Sequence, residues 1–257
     1  MNYKKQFRDL LEEIARDTYS QPWQVMENWA ELTAIGLSLP EKKPDRWERF
    51  LNLTGEGKKY HGMLPQLNSL LEDILVPALE ENPEQDFLGE IYCEPWSNKR
   101  NGEVFTPYHV AKGIAKMTLF DAKSIIKQQG YITIYEPACG SGVMGIAARN
   151  IFIDMGLSPT LKLHITGHDI KRTYCHFTYI QWSLLGMAAE VKLGNSLTGE
   201  FSDRWTSPIL KLHWGYWNLR LALKAIKANR TEEPKPTDHT IETNQEPPFN
   251  PVQLSLF

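Results

Sequence analysis

Cysteine is scarce: the 257 residues contain only Cys93, Cys139 and Cys175. They are widely spaced and form no C-x-x-C pair, which excludes a zinc knuckle and a disulfide framework and makes a reducing compartment the simplest setting. A basic excess is lacking too. The formal net charge is -3, so the chain as a whole does not advertise nucleic-acid binding, and a DNA role needs a local basic face or a partner that supplies the contacts. No apolar run is long enough to span a bilayer, and the segment from Met1 to Asp17 is charged with no apolar signal core. A soluble, cytoplasmic protein with no membrane partner is expected. No internal repeat is present.

What is present is enough to fold. Hydrophobic residues make up 42% and charged residues 23%, a balance that buries a core over most of the length. Phe7, Leu10, Leu11 and Ile14 recur at helical spacing, as do Trp47, Phe50 and Leu51, and then Leu67, Leu70, Leu71, Ile74 and Leu75, a run expected to end near Pro77. Each stripe is read as a core face. Residues 1–100 are therefore expected to form a helical subdomain with polar connections such as Glu41-Lys42-Lys43-Pro44.

The texture changes after residue 100. Residues 131–136 are β-branched and aromatic, as in a buried strand, and run into a glycine-bearing loop and a helical run from Val143 to about Met155. Leu161–Thr166 reads as a second strand, 172–187 as a helix and Ala189–Leu193 as a third strand. Strand and helix in strict alternation predict a parallel α/β sheet over 101–228. Ile209–Trp214 is expected as a fourth strand and Leu219–Ala228 as a short helix. Residues 229–257 are mostly polar, rich in Thr, Glu, Pro and Lys, and are expected to stay disordered.

The loop Glu136-Pro137-Ala138-Cys139-Gly140-Ser141-Gly142 carries the chemistry. Its glycines allow a tight turn and close approach to a ligand, and the following helix offers unpaired amides. The pattern is neither G-x-G-x-x-G nor a phosphate loop with a terminal Lys, so pyrophosphate is not the natural guest. Glu136 suits a ligand bearing an ammonium or sulfonium group. Asp169, closing the second strand, is placed to accept hydrogen bonds from ribose hydroxyls. Cys139 has no evident His partner and reads as a small loop residue rather than a nucleophile.

These residues carry a resemblance. Glu136–Gly142 resembles the D-P-x-C-G-S-G loop of adenine-N6 DNA methyltransferases of the type I modification-subunit group. Gly102-Glu103-Val104-Phe105-Thr106-Pro107 resembles that group's upstream G-x-F-(Y/F)-T-P segment, and Asp86–Tyr92 resembles the D-x-L-G-x-x-Y stretch that precedes it. The resemblance implies a Rossmann-like, S-adenosylmethionine-dependent methyltransferase fold and S-adenosylmethionine as cofactor. It implies that Phe105, Thr106 and Pro107 line the methionine end. Glu136, Pro137, Ala138, Cys139, Gly140, Ser141 and Gly142 would hold the amino-acid portion, Asp169 the ribose, and Asn195, where relatives often have Asp, would face the adenine. DNA is the implied partner, reached directly or through another protein.

Two features bear on catalysis and partners. The family activates the poorly nucleophilic adenine amine with a (D/N/S)-P-P-(Y/F) tetrad after the fourth strand. The corresponding stretch here, Ser207–Trp217, has none, so no catalytic residue is assigned; Glu246-Pro247-Pro248-Phe249 lies far downstream and has Glu at the key position. The sheet is also expected to be short, which leaves an edge to be closed by a different ending, a dimer or a partner subunit. Trp205, Trp214, Tyr216 and Trp217 are candidates to cap that edge, to fill the core or to form a dimer surface. Finally, Gln253-Leu254-Ser255-Leu256-Phe257 resembles the Q-L-(S/D)-L-F peptide by which bacterial replication proteins bind the DNA sliding clamp. The expectations are an S-adenosylmethionine-binding domain acting in DNA modification or, alternatively, a non-catalytic methyltransferase-like protein that binds the clamp or assembles with a catalytic partner.

Overall fold

The computed structural model describes residues 1–38, 43–93 and 106–213, together with the backbone of 94–96 and 253–255. Among them the α/β rhythm holds. β1 (Ile132–Glu136), β2 (Leu163–Asp169) and β3 (Ala188–Asn195) are parallel neighbours, with Ile134 opposite Ile165 and Ile165 opposite Ala189. β4 (Glu200–Thr206) returns antiparallel beside β3, and β5 (Gln253–Ser255) lies parallel to β1, giving the order β4-β3-β2-β1-β5. Parallel strands with helical crossovers and a glycine loop after the first strand define a Rossmann-like sheet.

The fourth strand differs from expectation. Ile209–Trp214 was read as a strand from its alternation, yet residues 208–213 are helical. The reason is local: Pro208 suits a first helical turn, and the Ser207 hydroxyl accepts from Leu210 N at 3.2 Å in the manner of an N-cap. The same hydroxyl accepts from Ala189 N at 3.0 Å and donates to Met187 O at 2.7 Å, pinning the turn to β3. β4 lies instead in Glu200–Thr206, a polar edge strand whose alternation is hidden by charge. Leu219–Ala228, residues 229–252, Trp214, Tyr216 and Trp217 lie outside the described residues.

The helices form two groups. α1 (Tyr3–Asp17), α2 (Pro22–Leu37), α3 (Pro44–Thr54), α4 (Leu64–Ser69), α5 (Val76–Glu81) and α6 (Phe87–Trp96) make the amino-terminal part. α7 (Tyr108–Thr118), α8 (Ala122–Gln129), α9 (Val143–Asp154), α10 (Pro159–Lys162) and α11 (Arg172–Leu184) accompany the sheet. The chain does not stop at Pro77. A π-helical turn, Leu70–Leu75, joins α4 to α5, and Val76 N bonds Leu71 O, so the wider turn carries the helix past the proline. α10 claims Leu161 and Lys162, which had been read as the start of the second strand.

The core does not divide at residue 100. One apolar cluster runs from Phe7 through Trp29 and Phe87 to Trp182 and Trp205. Phe7 meets Trp29 edge-on at 5.1 Å and Phe87 at 5.6 Å. α11 is buried from Tyr174 to Trp182, because the sheet covers one side and α2 and α6 cover the other. α3 breaks the expected pattern. Trp47 and Leu51 are 52% and 45% exposed, while Arg46 is buried. The Arg46 guanidinium lies 3.5 Å over the Trp205 ring and bonds Asp203 at 2.8 Å, so this helix docks through a stacked, ion-paired cation rather than an apolar stripe. Trp205 is thereby a core residue, 2% exposed. β5 closes the open edge of β1 with residues of the same chain: Thr133 faces Gln253 and Tyr135 faces Ser255.

Candidate active site

The site is built where β1 ends. Gly142 caps α9 at φ 98°, a left-handed conformation, and a Cβ there would stand 2.7 Å from Trp182 Nε1. Only glycine satisfies both demands. α11 then takes up the loop's carbonyls. Thr178 Oγ1 donates to Gly140 O, Gln181 Nε2 to Ser141 O and Trp182 Nε1 to Gly142 O, each at 2.8 Å. From β2, His168 O accepts from Cys139 N at 2.7 Å. Tying down the carbonyl side fixes the loop in one shape and turns its other side toward a cavity of about 780 Å³.

Thr106, Pro137, Ala138, Cys139, Gly140, Ser141, Asp169 and Asn195 line that cavity. Pro107 instead faces an adjoining cavity of about 380 Å³ that shares Thr106, and Phe105 lies outside the described residues. Asp169 is held on both oxygens, accepting from Gly140 N and Lys171 N at 2.9 Å each. Burial pushes its carboxyl up. Asn195 is exposed at the far wall, with Oδ1 accepting from Leu197 N at 2.9 Å, so its amide NH₂ is the end that remains to read a ring edge.

Two expected residues occupy unexpected places. Ser141 lines the cavity, but its hydroxyl is committed: it donates to Asp86, a carboxylate only 2% exposed. Glu136 and Gly142 lie below the lining. Glu136 is fully buried; Oε1 accepts from Ala138 N at 3.3 Å, and Oε2 has no hydrogen-bond partner among the described residues. Burial, reinforced by the nearby Asp169 charge, pushes the Glu136 carboxyl up to about 7. Cys139 matches its reading as an inert loop residue: it is 3% exposed, and burial raises its thiol well above the ordinary range.

Sequence reasoning missed the second layer. Asp86 Oδ1 accepts from Gln181 Nε2 at 2.9 Å and Gly89 N at 3.1 Å, while Oδ2 takes the Ser141 hydroxyl. Gly89 is a glycine because a Cβ would collide with Asp86 and Ser141. The Asp86–Tyr92 stretch had been noticed; its task of clamping the glycine loop had not. Gln181 left no signal, being one polar residue in a buried helix. Lys171, Tyr174, Ile170 and Leu197 also line the cavity. The Lys171 ammonium lies 4.4 Å over the Tyr174 ring and bonds its hydroxyl at 3.2 Å, while Ile170 and Leu197, 78% and 94% exposed, offer apolar surface at the mouth.

The fold and the site together define a nucleotide-binding α/β domain with a methyltransferase-type loop. Residues 84–210 match the family model described as N-6 DNA methylase. The match opens two residues before Asp86 and takes in the loop, β1 to β4 and α11. Among solved structures, a Listeria monocytogenes protein assigned to the class I S-adenosylmethionine-dependent methyltransferases is similar at 12% identity and a TM-score of 0.44. The alignment covers 78% of this chain and 56% of that one, so the chain spans little more than half of its length. Among the described residues, no helix is long and apolar enough to cross a membrane, and no cluster of candidate ligands could hold a metal ion.

Proposed function

We propose that the chain binds S-adenosylmethionine as part of an adenine-N6 DNA modification system, with activation of the adenine amine supplied from outside residues 1–213. The observation that carries this reading is the fully buried Glu136, with an unpartnered Oε2, directly before the loop that lines a cavity of about 780 Å³ presenting Asp169 and Asn195. A buried carboxylate lacking a donor fits a ligand that brings positive charge. Two ribose hydroxyls fit Asp169, which as an ionised carboxylate keeps acceptor capacity beyond its two backbone bonds. Ile170 and Leu197 suit the faces of a flat base. When bound, S-adenosylmethionine supplies the methyl group; the chain's own residues orient it and balance its charge.

Calorimetry with S-adenosylmethionine tests this directly. Wild type should release heat with saturable binding. Asp169→Ala should weaken it about tenfold or more, the worth of a charged hydrogen-bond acceptor. No heat from wild type at high ligand concentration would end the cofactor reading. Catalysis is a separate matter. The described residues hold no (D/N/S)-P-P-(Y/F) tetrad, and Glu246–Phe249 lie outside them. The purified protein alone is expected not to methylate adenine-containing DNA, measured by transfer of labelled methyl.

A second reading concerns Gln253–Phe257, which we infer to be a docking peptide for the bacterial sliding clamp. Its five residues match such peptides in full; Leu256 and Phe257 lie outside the described residues. Gln253–Ser255 pair with β1, so clamp docking requires their release from that edge. Deleting 253–257 is expected to abolish binding to purified sliding clamp in surface plasmon resonance. Undiminished binding would remove this role.

A further inference from the structure

The net charge of -3 demands that any contact with DNA use a local basic face. Such a face exists where α3 docks on the β4 edge. A cavity of about 350 Å³ there is bordered by Arg46 and Arg49 of α3, Arg172 at the start of α11, and Trp205. The carboxylates that face it are Asp203, Glu31 and Asp45. Lys43 joins the cluster at 3.2 Å from Asp203.

Three ion pairs in this region share an asymmetry. Arg49 is 50% exposed over a Glu31 that is 16% exposed, and Arg172 is 55% exposed over an Asp203 that is 17% exposed. Around the β4 edge, Arg204 is 56% exposed over a Glu190 that is 14% exposed. In these three pairs the carboxylate is sunk and the guanidinium projects, whereas Asp45 at the rim is exposed. A sunk carboxylate occupies one side of a guanidinium and holds it upright, leaving its outward N–H donors for another acceptor. Asp203 is shared by Lys43, Arg46 and Arg172, three cations on one carboxylate, and the Arg46 side of that cluster holds its carboxyl below the ordinary range. Where solvent meets this face, the exposed guanidinium groups of Arg49, Arg172 and Arg204 outnumber the exposed carboxylates Asp45 and Glu48. The face also adjoins the nucleotide cavity, because Lys171 lines that cavity and the next residue, Arg172, lines this one.

We propose that this face binds the phosphodiester backbone of duplex DNA, with Arg49 and Arg172 as phosphate donors and Arg204 extending the track around the β4 edge. The inference rests on the DNA-modification reading and adds the contact surface to it. Backbone phosphates are the chemistry that planar, outward-facing guanidinium groups recognise, without regard to sequence. Arg46 is excluded from that role. It is buried, stacked on Trp205, and acts as the pin that joins α3 to β4.

The test is fluorescence anisotropy of a labelled duplex across a salt series, with full-length protein. Arg49→Ala with Arg172→Ala should weaken binding about tenfold or more and reduce the slope of log K against log salt by about 2, since each phosphate contact contributes about 0.9. Both residues are half exposed, so thermal unfolding and the heat of S-adenosylmethionine binding should match wild type. Lys127→Ala, on α8, should leave DNA affinity unchanged. Wild-type affinity and slope in the double variant would overturn this surface while leaving the DNA reading intact. No DNA binding by wild type, with S-adenosylmethionine still bound, would overturn both this surface and the DNA role. Tighter binding to duplex RNA than to DNA would overturn the choice of partner. Saturable binding of inorganic phosphate with no affinity for duplex would reduce the face to a small-anion site and overturn it as well.

Discussion

Asp86→Ala is expected to lower the thermal unfolding midpoint by about 10 °C and to abolish measurable S-adenosylmethionine binding, although Asp86 does not line the main cavity. Its carboxylate accepts from Ser141, Gln181 and Gly89 in a site from which water is excluded. Truncation leaves three donors without an acceptor, at about 1 kcal/mol or more each, or roughly 3 kcal/mol together. The glycine loop then loses its anchor at the Ser141 hydroxyl, and Gln181, which also carries Ser141 O, loses the carboxylate that orients it. Asp86→Asn should recover part of the stability, because its amide oxygen still accepts from one neighbour. Differential scanning calorimetry and ligand titration check both effects. A midpoint change below about 2 °C would mean that the network does not hold the loop.

Glu136→Gln carries the second large effect, and its sign depends on pH. The Glu136 carboxyl sits at about 7 when folded against an ordinary value of 4.5, so the folded state binds more protons between those limits. Stability of the ligand-free protein therefore falls as pH rises from about 4.5 to about 7 and then levels off. The Gln variant does not ionise and should be the more stable protein at pH above that window, with the advantage vanishing at its acid end. Ligand affinity runs the other way. A cationic ligand favours ionised Glu136, so binding by wild type should strengthen with pH up to about 7, by as much as about tenfold per unit, and should release protons. The Gln variant should bind weakly and without this pH dependence. Calorimetry in buffers of different ionisation heat reads the proton release directly. A wild type whose affinity is flat with pH would sever Glu136 from the ligand.

These two residues also mark how far the sequence could be read. Glu136 was visible because its place is local: the last residue of a β-branched strand, directly before a glycine loop. Its complete burial is not visible, because its neighbour across the sheet is Gly167 of β2 and the loop that follows it is held by α11, both distant in the chain. Asp86 was visible as part of a recurring stretch but without a task, since its partners Ser141 and Gln181 lie 55 and 95 residues away. The strand at 209–214 was misread because alternation of Leu with Lys and His suits either state, and the deciding contact is the Ser207 hydroxyl on the ends of β3. The apolar stripe of α3 was misread because a periodic pattern says which face is hydrophobic and not which face is covered. Here the covered face is the one carrying Arg46, since only Trp205 and Asp203 together can match a guanidinium.

By itself the sequence determined the strand–loop–helix unit, the alternation of β1 to β3 with their helices, and the chemical character of the cavity walls. Those features follow from backbone demands within a few residues: glycine where φ is positive, β-branched residues where a strand is buried, an acid at a strand end. Tertiary structure alone decided the antiparallel β4, the closing of the β1 edge by Gln253–Ser255, the Asp86 clamp and the basic face over sunk carboxylates. Each depends on burial and pairing between segments far apart in the chain, where the free energy of a residue is set by neighbours that its local sequence does not name.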